Sequence, residues 1–271
     1  MNPYEYTEAE ILGIVDETPN IKTFTVKPRK EIAFRAGQFM DLTLPGIGEA
    51  PFTPSSNHNV KDRLDFTIMN AGRVTKALHS AKKGDIVGVR GPYGKGYPLN
   101  DFKSKDIFIV GGGVGLAPLR ALIYALFNDV NDYRRITLKY GARSSSDIVY
   151  KGEIGSWKKK APHVDIEMSV DVGDPSWKGS VGVVTTILKN DGIDLQNAVA
   201  IVCGPPIMMK FVTFKLLELG FEDKIIYLSM EKNMSCGIGK CGHCRIGPYY
   251  ACKDGPVFTY DKVRNLPNIW E

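Results

Sequence analysis

Four of the five cysteines fall between positions 236 and 252, as Cys236, Cys241, Cys244 and Cys252 in a C-x4-C-x2-C-x7-C pattern. Thiolates ligate iron–sulfur clusters and structural zinc, and C-x4-C-x2-C is the spacing of plant-type [2Fe-2S] loops. Zinc ribbons place two separated pairs, whereas three ligands here share one short loop. A [2Fe-2S] cluster is the favoured reading and a four-Cys zinc the alternative. Gly237, Gly239 and Gly242 interleave the ligands, which suits a loop that must turn tightly and aim backbone N–H groups at sulfur. His243 also lies here, but four cysteines already suffice.

A second constellation is Ile107-Phe-Ile-Val-Gly111-Gly112-Gly113-Val114-Gly115-Leu-Ala-Pro118-Leu-Arg120. An apolar strand running through a glycine turn into a helix lets backbone approach a pyrophosphate, and the helix N-terminus favours its charge. A tight βα turn without a ligand is the alternative. The following strand ends at Tyr140-Gly-Ala-Arg143-Ser144, without the acidic residue that holds the ribose in many dinucleotide sites. A third apolar strand ends at Cys203-Gly204-Pro205, and ligands of open α/β sheets bind at such carboxyl ends. A lone cysteine there is otherwise ordinary packing. In the N-terminal half, Phe52-Thr53-Pro54-Ser55 and Gly72-Arg73-Val74-Thr75 are the polar, turn-rich places. The second opens a helix, so it either binds phosphate through backbone N–H groups or simply caps that helix.

These residues need elements to hold them. Short β-branched and aromatic runs at 11–16, 21–26, 39–44, 64–69 and 86–90, with one helix at 73–81, predict an antiparallel barrel. From residue 106 the rhythm becomes strand and helix in alternation. Strands are expected at 106–110, 136–140, 164–170, 199–203 and 224–228, with helices near 114–128, 148–158, 181–190 and 206–219, as a parallel sheet requires. The last forty residues show no periodicity and need a metal cluster to order them. The expected division is a barrel over 1–102, an α/β domain over 103–229 and a cluster segment over 230–271.

With 271 residues, 43% of them hydrophobic and 24% charged, the composition is that of an ordinary globular protein, long enough for about two domains. The net charge of +5 is scattered, which argues against a nucleic-acid surface. No apolar run approaches the ~18 residues of a membrane span and no signal peptide opens the chain, so a cytoplasmic protein is expected.

Taken in order, these motifs resemble the ferredoxin-NADP reductase superfamily across essentially the whole chain. The resemblance is greatest to its branch with a C-terminal [2Fe-2S] loop, which includes sulfhydrogenase gamma subunits, the corresponding component of anaerobic sulfite reductase and dihydroorotate dehydrogenase electron-transfer subunits. It implies FAD on the barrel, NAD(P)H on the α/β domain and an electron-transfer role. The superfamily's flavin motif falls on Ala50-Pro51-Phe52-Thr53, so Phe52 would pack on the flavin and Thr53 would hydrogen-bond it. The motif's arginine is absent, and Arg73 is the candidate replacement. Thr67, Ile68 and Met69 would add backbone contacts, and Gly72, Arg73, Val74 and Thr75 would cradle the phosphates. Cys203, in the family's Cys-Gly-Pro motif, would lie beside the reacting nicotinamide, with Glu231 near it. Arg143, Ser144 and Lys151 would suit a 2′-phosphate, whereas Asp171 leans towards NADH. No second substrate pocket is left over, so a partner redox subunit with its own iron–sulfur or catalytic centre is expected. The aromatic tail of Tyr249, Tyr250, Phe258, Tyr260 and Trp270 is the expected docking surface.

Overall fold

Alternation of buried and outward residues sets the first half. Strand β2 (Ile21–Pro28) buries Phe24, Val26 and Pro28 and turns Thr25 and Lys27 the other way, the period-two pattern of a sheet with one face in a core. It belongs to a six-stranded sheet with β1 (Thr7–Thr18), β3 (Phe39–Leu44), β4 (Gly48–Phe52), β5 (Leu64–Met69) and β6 (Ile86–Tyr93). The strand order is β4-β3-β6-β1-β2-β5, and every pairing is antiparallel. Just past β4, Ser55 N donates to Asp65 O on β5 at 2.7 Å, drawing the two edge strands together as a barrel requires. Helix α1 (Arg73–Ser80) follows β5.

The computed structural model describes residues 4–270. Its chain forms two compact units: the chain up to Tyr97 with Ala117–Ala125 and Met230–Val257, and Pro98–Leu116 with Leu126–Ser229 and Phe258 onward. The second unit is built on a seven-stranded sheet. After α2 (Leu99–Phe102), the chain runs through β7 (Asp106–Gly112), α3 (Leu116–Asn128), β8 (Arg135–Ala142), α4 (Lys151–Trp157) and β9 (Val164–Val170). It continues through β10 (Ser180–Val181), β11 (Ala198–Cys203), α5 (Pro206–Glu218) and β12 (Ile226–Ser229). The order is β10-β9-β8-β7-β11-β12, and these neighbours pair in parallel. Strands β7 and β11 are buried along their whole length, the mark of a sheet covered on both faces.

Three expectations change. The helix expected at 181–190 is absent; strand β10 is followed by a 3-10 turn at Val184–Ile187. Val181, Val183, Val184, Thr185, Thr186 and Ile187 are β-branched and disfavour helix, and Gly182 takes φ +127°. Strand β4 was not anticipated, because Gly-Glu-Ala-Pro-Phe carries no strand signal of its own. The final segment is ordered into β13 (Arg245–Ile246), β14 (Tyr249–Tyr250), β15 (Val257–Thr259) and α6 (Tyr260–Val263), with β15 at the edge of the seven-stranded sheet. Among the described residues no helix is long and apolar enough to cross a membrane.

Candidate redox sites

The β13–β14 hairpin explains the seven-residue gap before the last cysteine. It pairs Arg245 with Tyr250 and Ile246 with Tyr249, Ala251 N donates to Cys244 O at 3.0 Å, and the returning chain sets Cys252 Sγ 3.2 Å from Cys244 Sγ. Cys236 and Cys241 form the other pair: Cys241 N donates to Cys236 Sγ at 3.4 Å. Lys240 N donates to the same sulfur at 3.3 Å, and Gly239 N to Cys252 Sγ at 3.1 Å. Gly237, Gly239 and Gly242 take φ of +72°, +72° and +84°, the left-handed turns that aim these N–H groups inward. Burial pushes the Cys236 thiol up, but N–H groups of Cys241, Ile238 and Lys240 outweigh it and bring it down to about 6. Burial and the adjacent Cys244 thiol push Cys252 up to about 12. Four cysteines in one loop, with two sulfurs in contact and N–H groups on sulfur, fit the donor set of a binuclear iron–sulfur cluster. Among the described residues no three His, Cys, Asp or Glu side chains converge on one ion. Cys241 is exposed and the other three cysteines of the loop are buried.

A buried ionic group carries this loop. Arg90 on β6 faces Asp41 across the sheet, and its Nη2 donates to Asp41 Oδ2 at 2.7 Å and Glu49 Oε1 at 2.6 Å. Its Nη1 donates to Cys236 O at 2.9 Å and Tyr93 Oη at 3.0 Å, and Nη2 also reaches Ser235 O at 3.4 Å. The Arg90 and Asp41 side chains are each 2% exposed, and Glu49 is 37% exposed. Burial pushes the Asp41 carboxyl up to about 7, with the Arg90 guanidinium pulling it back. A Cβ on Gly237 would come within 2.8 Å of the Tyr93 ring, so the loop lies flat on β6.

The flavin candidates gather where β4, β5 and α1 meet. Ser55 and Thr67 hydroxyls lie 3.0 Å apart, and Thr67 joins Thr23 at 2.8 Å. Arg120, buried, donates to Ser55 O at 3.2 Å and to Asp65 Oδ2 at 3.1 Å. This support for the segment was not foreseen from the sequence, where Arg120 was only the end of the glycine motif. Phe52 and Thr53 are half-buried, Pro54 and Ile68 are buried, and Met69 is exposed. Ser56 Oγ is buried with no hydrogen-bond partner among the described residues, the kind of atom a bound group completes. At α1, Thr75 Oγ1 accepts from Gly72 N at 2.7 Å and Ala71 N at 2.9 Å and donates to Gly72 O. That hydroxyl therefore caps its own helix. Arg73 extends over β4: a Cβ on Gly48 would lie 3.5 Å from Arg73 Nη2 and 3.5 Å from Val74 Cγ2.

In the second unit the glycine run opens α3 through a 3-10 turn at Gly113–Gly115, with Gly113 at φ +52°. Gly115 packs against the end of β11. A Cβ there would stand 2.6 Å from Cys203 O and 2.6 Å from Gly204 Cα. Cys203 is buried and Gly204 half-buried, while Val114 and Pro118 are half-buried beside the turn. The turn and the Cys-Gly-Pro segment thus form one strand-end cluster. Arg143 is exposed past β8, and a cavity nearby is lined by Ser145, Lys151, Trp177 and Lys178. Hydroxyls of Ser145 and Ser176 bring the Asp174 carboxyl down to about 2. Asp171 is exposed just past β9, and Glu231 is exposed in the first unit. The aromatic tail is largely built into the protein. Phe258 and Tyr260 are buried, and Tyr260 packs on Trp270 with ring centroids 6.2 Å apart.

An antiparallel barrel, a glycine turn on a parallel sheet and a four-cysteine loop define an NAD(P)H-dependent flavin and iron–sulfur oxidoreductase subunit. Known proteins agree. The oxidoreductase FAD-binding domain family matches residues 12–97, the oxidoreductase NAD-binding domain family matches 109–213, and the iron-sulfur cluster binding domain of dihydroorotate dehydrogenase B matches 231–264. The sulfhydrogenase 2 subunit gamma of Pyrococcus furiosus is 36% identical, over 96% of this chain and 96% of its own. A probable dihydroorotate dehydrogenase B (NAD(+)), electron transfer subunit, from Methanocaldococcus jannaschii is 36% identical, over 94% and 90%. A structure described as giving insights into flavin-based electron bifurcation in an NADH-dependent reduced ferredoxin-NADP oxidoreductase superposes with TM-score 0.74 at 26% identity, over 97% and 93%. The chain belongs to the family of sulfhydrogenase gamma and dihydroorotate dehydrogenase electron-transfer subunits, and it moves electrons between NAD(P)H, FAD and an iron–sulfur cluster together with partner subunits.

Proposed function

We propose that this chain takes electrons from NAD(P)H and delivers them, through sites divided among the residues above, to a partner redox subunit with its own iron–sulfur or catalytic centre in the cytoplasm. The bound groups supply hydride transfer, its division into single electrons and one-electron transport. The chain's residues bind and orient. Backbone of Thr67, Ile68 and Met69, the Phe52 ring, the Thr53 hydroxyl and the Pro54-Ser55 turn hold the flavin ring. Backbone N–H groups at Arg73, Val74 and Thr75, in the turn that Gly72 opens, take its phosphates. Gly111, Gly112, Gly113, Val114, Gly115 and Pro118 take the nicotinamide nucleotide's pyrophosphate, with Arg143 on its outer side. Cys203, Gly204 and Pro205 line the reacting end, and Glu231 is assigned to it by family position. Cys236, Cys241, Cys244 and Cys252 hold a [2Fe-2S] cluster. The exposed Cys241 marks the side from which electrons leave, and four free thiols in one loop suit a reducing compartment.

The observation that carries this reading is the gathering of the four cysteines in one loop, with Cys244 and Cys252 sulfurs in contact and backbone N–H groups on the Cys236 and Cys252 sulfurs, within the unit that also holds the flavin segment. Anaerobically purified protein is expected to hold one flavin and two irons per chain and, once reduced, to give the rhombic paramagnetic signal of a [2Fe-2S] centre. Stoichiometric zinc without iron would overturn it.

Arg73 carries the second expectation. No ion pair engages it among the described residues, and it reaches over β4 at Gly48, on the same strand as Ala50, where the family's flavin arginine is missing. A charge-assisted hydrogen bond is worth about 1.5–3 kcal/mol, so Arg73→Ala should weaken FAD binding by roughly 10- to 100-fold. Riboflavin, which lacks phosphates, should bind both proteins alike. Fluorescence titration of apoprotein measures this, and an unchanged FAD affinity removes Arg73 from the site.

A further inference from the structure

We propose that Arg90 is a positioning residue for the iron–sulfur site: it fixes the backbone of the first ligand, Cys236, against the barrel and, with Asp41 and Glu49, sets the charge that the cluster feels. The inference rests on the iron–sulfur reading above. A guanidinium is a planar fork of five N–H donors. Here the fork is divided between two carboxylates of the barrel and two carbonyls of the cluster loop, Ser235 O and Cys236 O. Buried ion pairs add little net stability over apolar packing of the same volume, so stability alone is a poor account of this group. Orientation is a better one. Glu49 lies on β4, the strand that ends at Phe52 and leads into the flavin segment, so one side chain ties that strand to the ligand that opens the cluster loop.

The same placement has an electrostatic consequence. A four-thiolate [2Fe-2S] site becomes more negative by one charge on reduction, and its potential depends on surrounding charge and hydrogen bonding. The Arg90 cation favours the reduced form, and the Asp41 and Glu49 carboxylates favour the oxidised form. Removing the cation and removing a carboxylate must therefore move the midpoint potential in opposite directions. A purely structural role would produce no such sign reversal.

The test uses the full chain with FAD and cluster in place, titrated electrochemically with the paramagnetic signal as readout. Glu49→Gln is expected to raise the cluster's midpoint potential and Arg90→Met to lower it. Arg90→Lys keeps the charge without the fork and is expected to stay nearer the parent than Arg90→Met does. If Arg90→Met does not accumulate, Glu49→Gln decides: a rise upholds the proposal and an unchanged potential overturns it. Shifts of the same sign in Glu49→Gln and Arg90→Met also overturn it. Lack of any [2Fe-2S] signal in the parent would instead defeat the iron–sulfur reading, so the two failures are distinguishable.

Discussion

Cys241→Ala is expected to empty the chain of iron while leaving its flavin chemistry intact. Partners outside the ligand set of a metal site are already worth roughly 10- to 100-fold in affinity, and losing one of four thiolates removes more than that. Iron should fall to background and the paramagnetic signal should vanish. Cys241 is the exposed cysteine of the four, so its truncation removes little packing and the variant should fold. NAD(P)H should still bleach the flavin at close to the parent rate, because Cys241 is not among the proposed flavin contacts at 52–55 and 67–75 or the proposed nucleotide contacts at 111–118, 143 and 203–205. Iron analysis, electron paramagnetic resonance and anaerobic stopped-flow absorbance follow the three quantities separately. A well-folded variant that had lost flavin and hydride transfer as well as iron would refute this separation.

Gly115→Ala should be the most damaging single methyl group in the nucleotide-binding unit. The atoms its Cβ would meet, Cys203 O and Gly204 Cα at 2.6 Å and Cys203 C at 2.7 Å, are all backbone, and backbone cannot rotate aside as a side chain can. Either the start of α3 or the end of β11 must move. Overpacking of this kind costs about 1–3 kcal/mol, and both displaced parts are proposed nucleotide contacts. NAD(P)H affinity should fall by roughly tenfold or more, with flavin and iron content unchanged. Gly152→Ala is the matched control, since a Cβ there meets nothing within 4 Å. Equal NAD(P)H affinity in the two variants, measured by equilibrium titration, would remove the glycine turn from the binding site.

The sequence was most readable where function imposes spacing. The cysteine pattern, the glycine run after an apolar strand and the change from β-rich to alternating elements all depend on near neighbours, so local chemistry exposed them. The helix expected at 181–190 does not form, because the β-branched residues and Gly182 of that apolar run belong to an edge strand and a 3-10 turn. Strand β4 was invisible because its place comes from pairing with β3 rather than from its own residues. The Arg90 cluster was beyond local reading altogether, since Arg90 and Cys236 are 146 positions apart. The aromatic tail shows the opposite error: Phe258 and Tyr260, which looked free for a partner, pack within the protein's own fold.

That separation of 146 positions also orders events during synthesis. The barrel strands leave the ribosome first, yet Arg90 lacks two of its carbonyl acceptors until Ser235 and Cys236 have been translated. Met230 N must likewise wait for Pro256 O before the two ends of the loop close. Domains generally fold as units while the chain emerges, N-terminal ones first. Here the unit begun by the barrel is completed only by residues 230–257, so a nascent chain stalled before residue 230 leaves the Arg90 fork without its two loop acceptors. The iron centre therefore cannot be assembled before translation has passed Cys252.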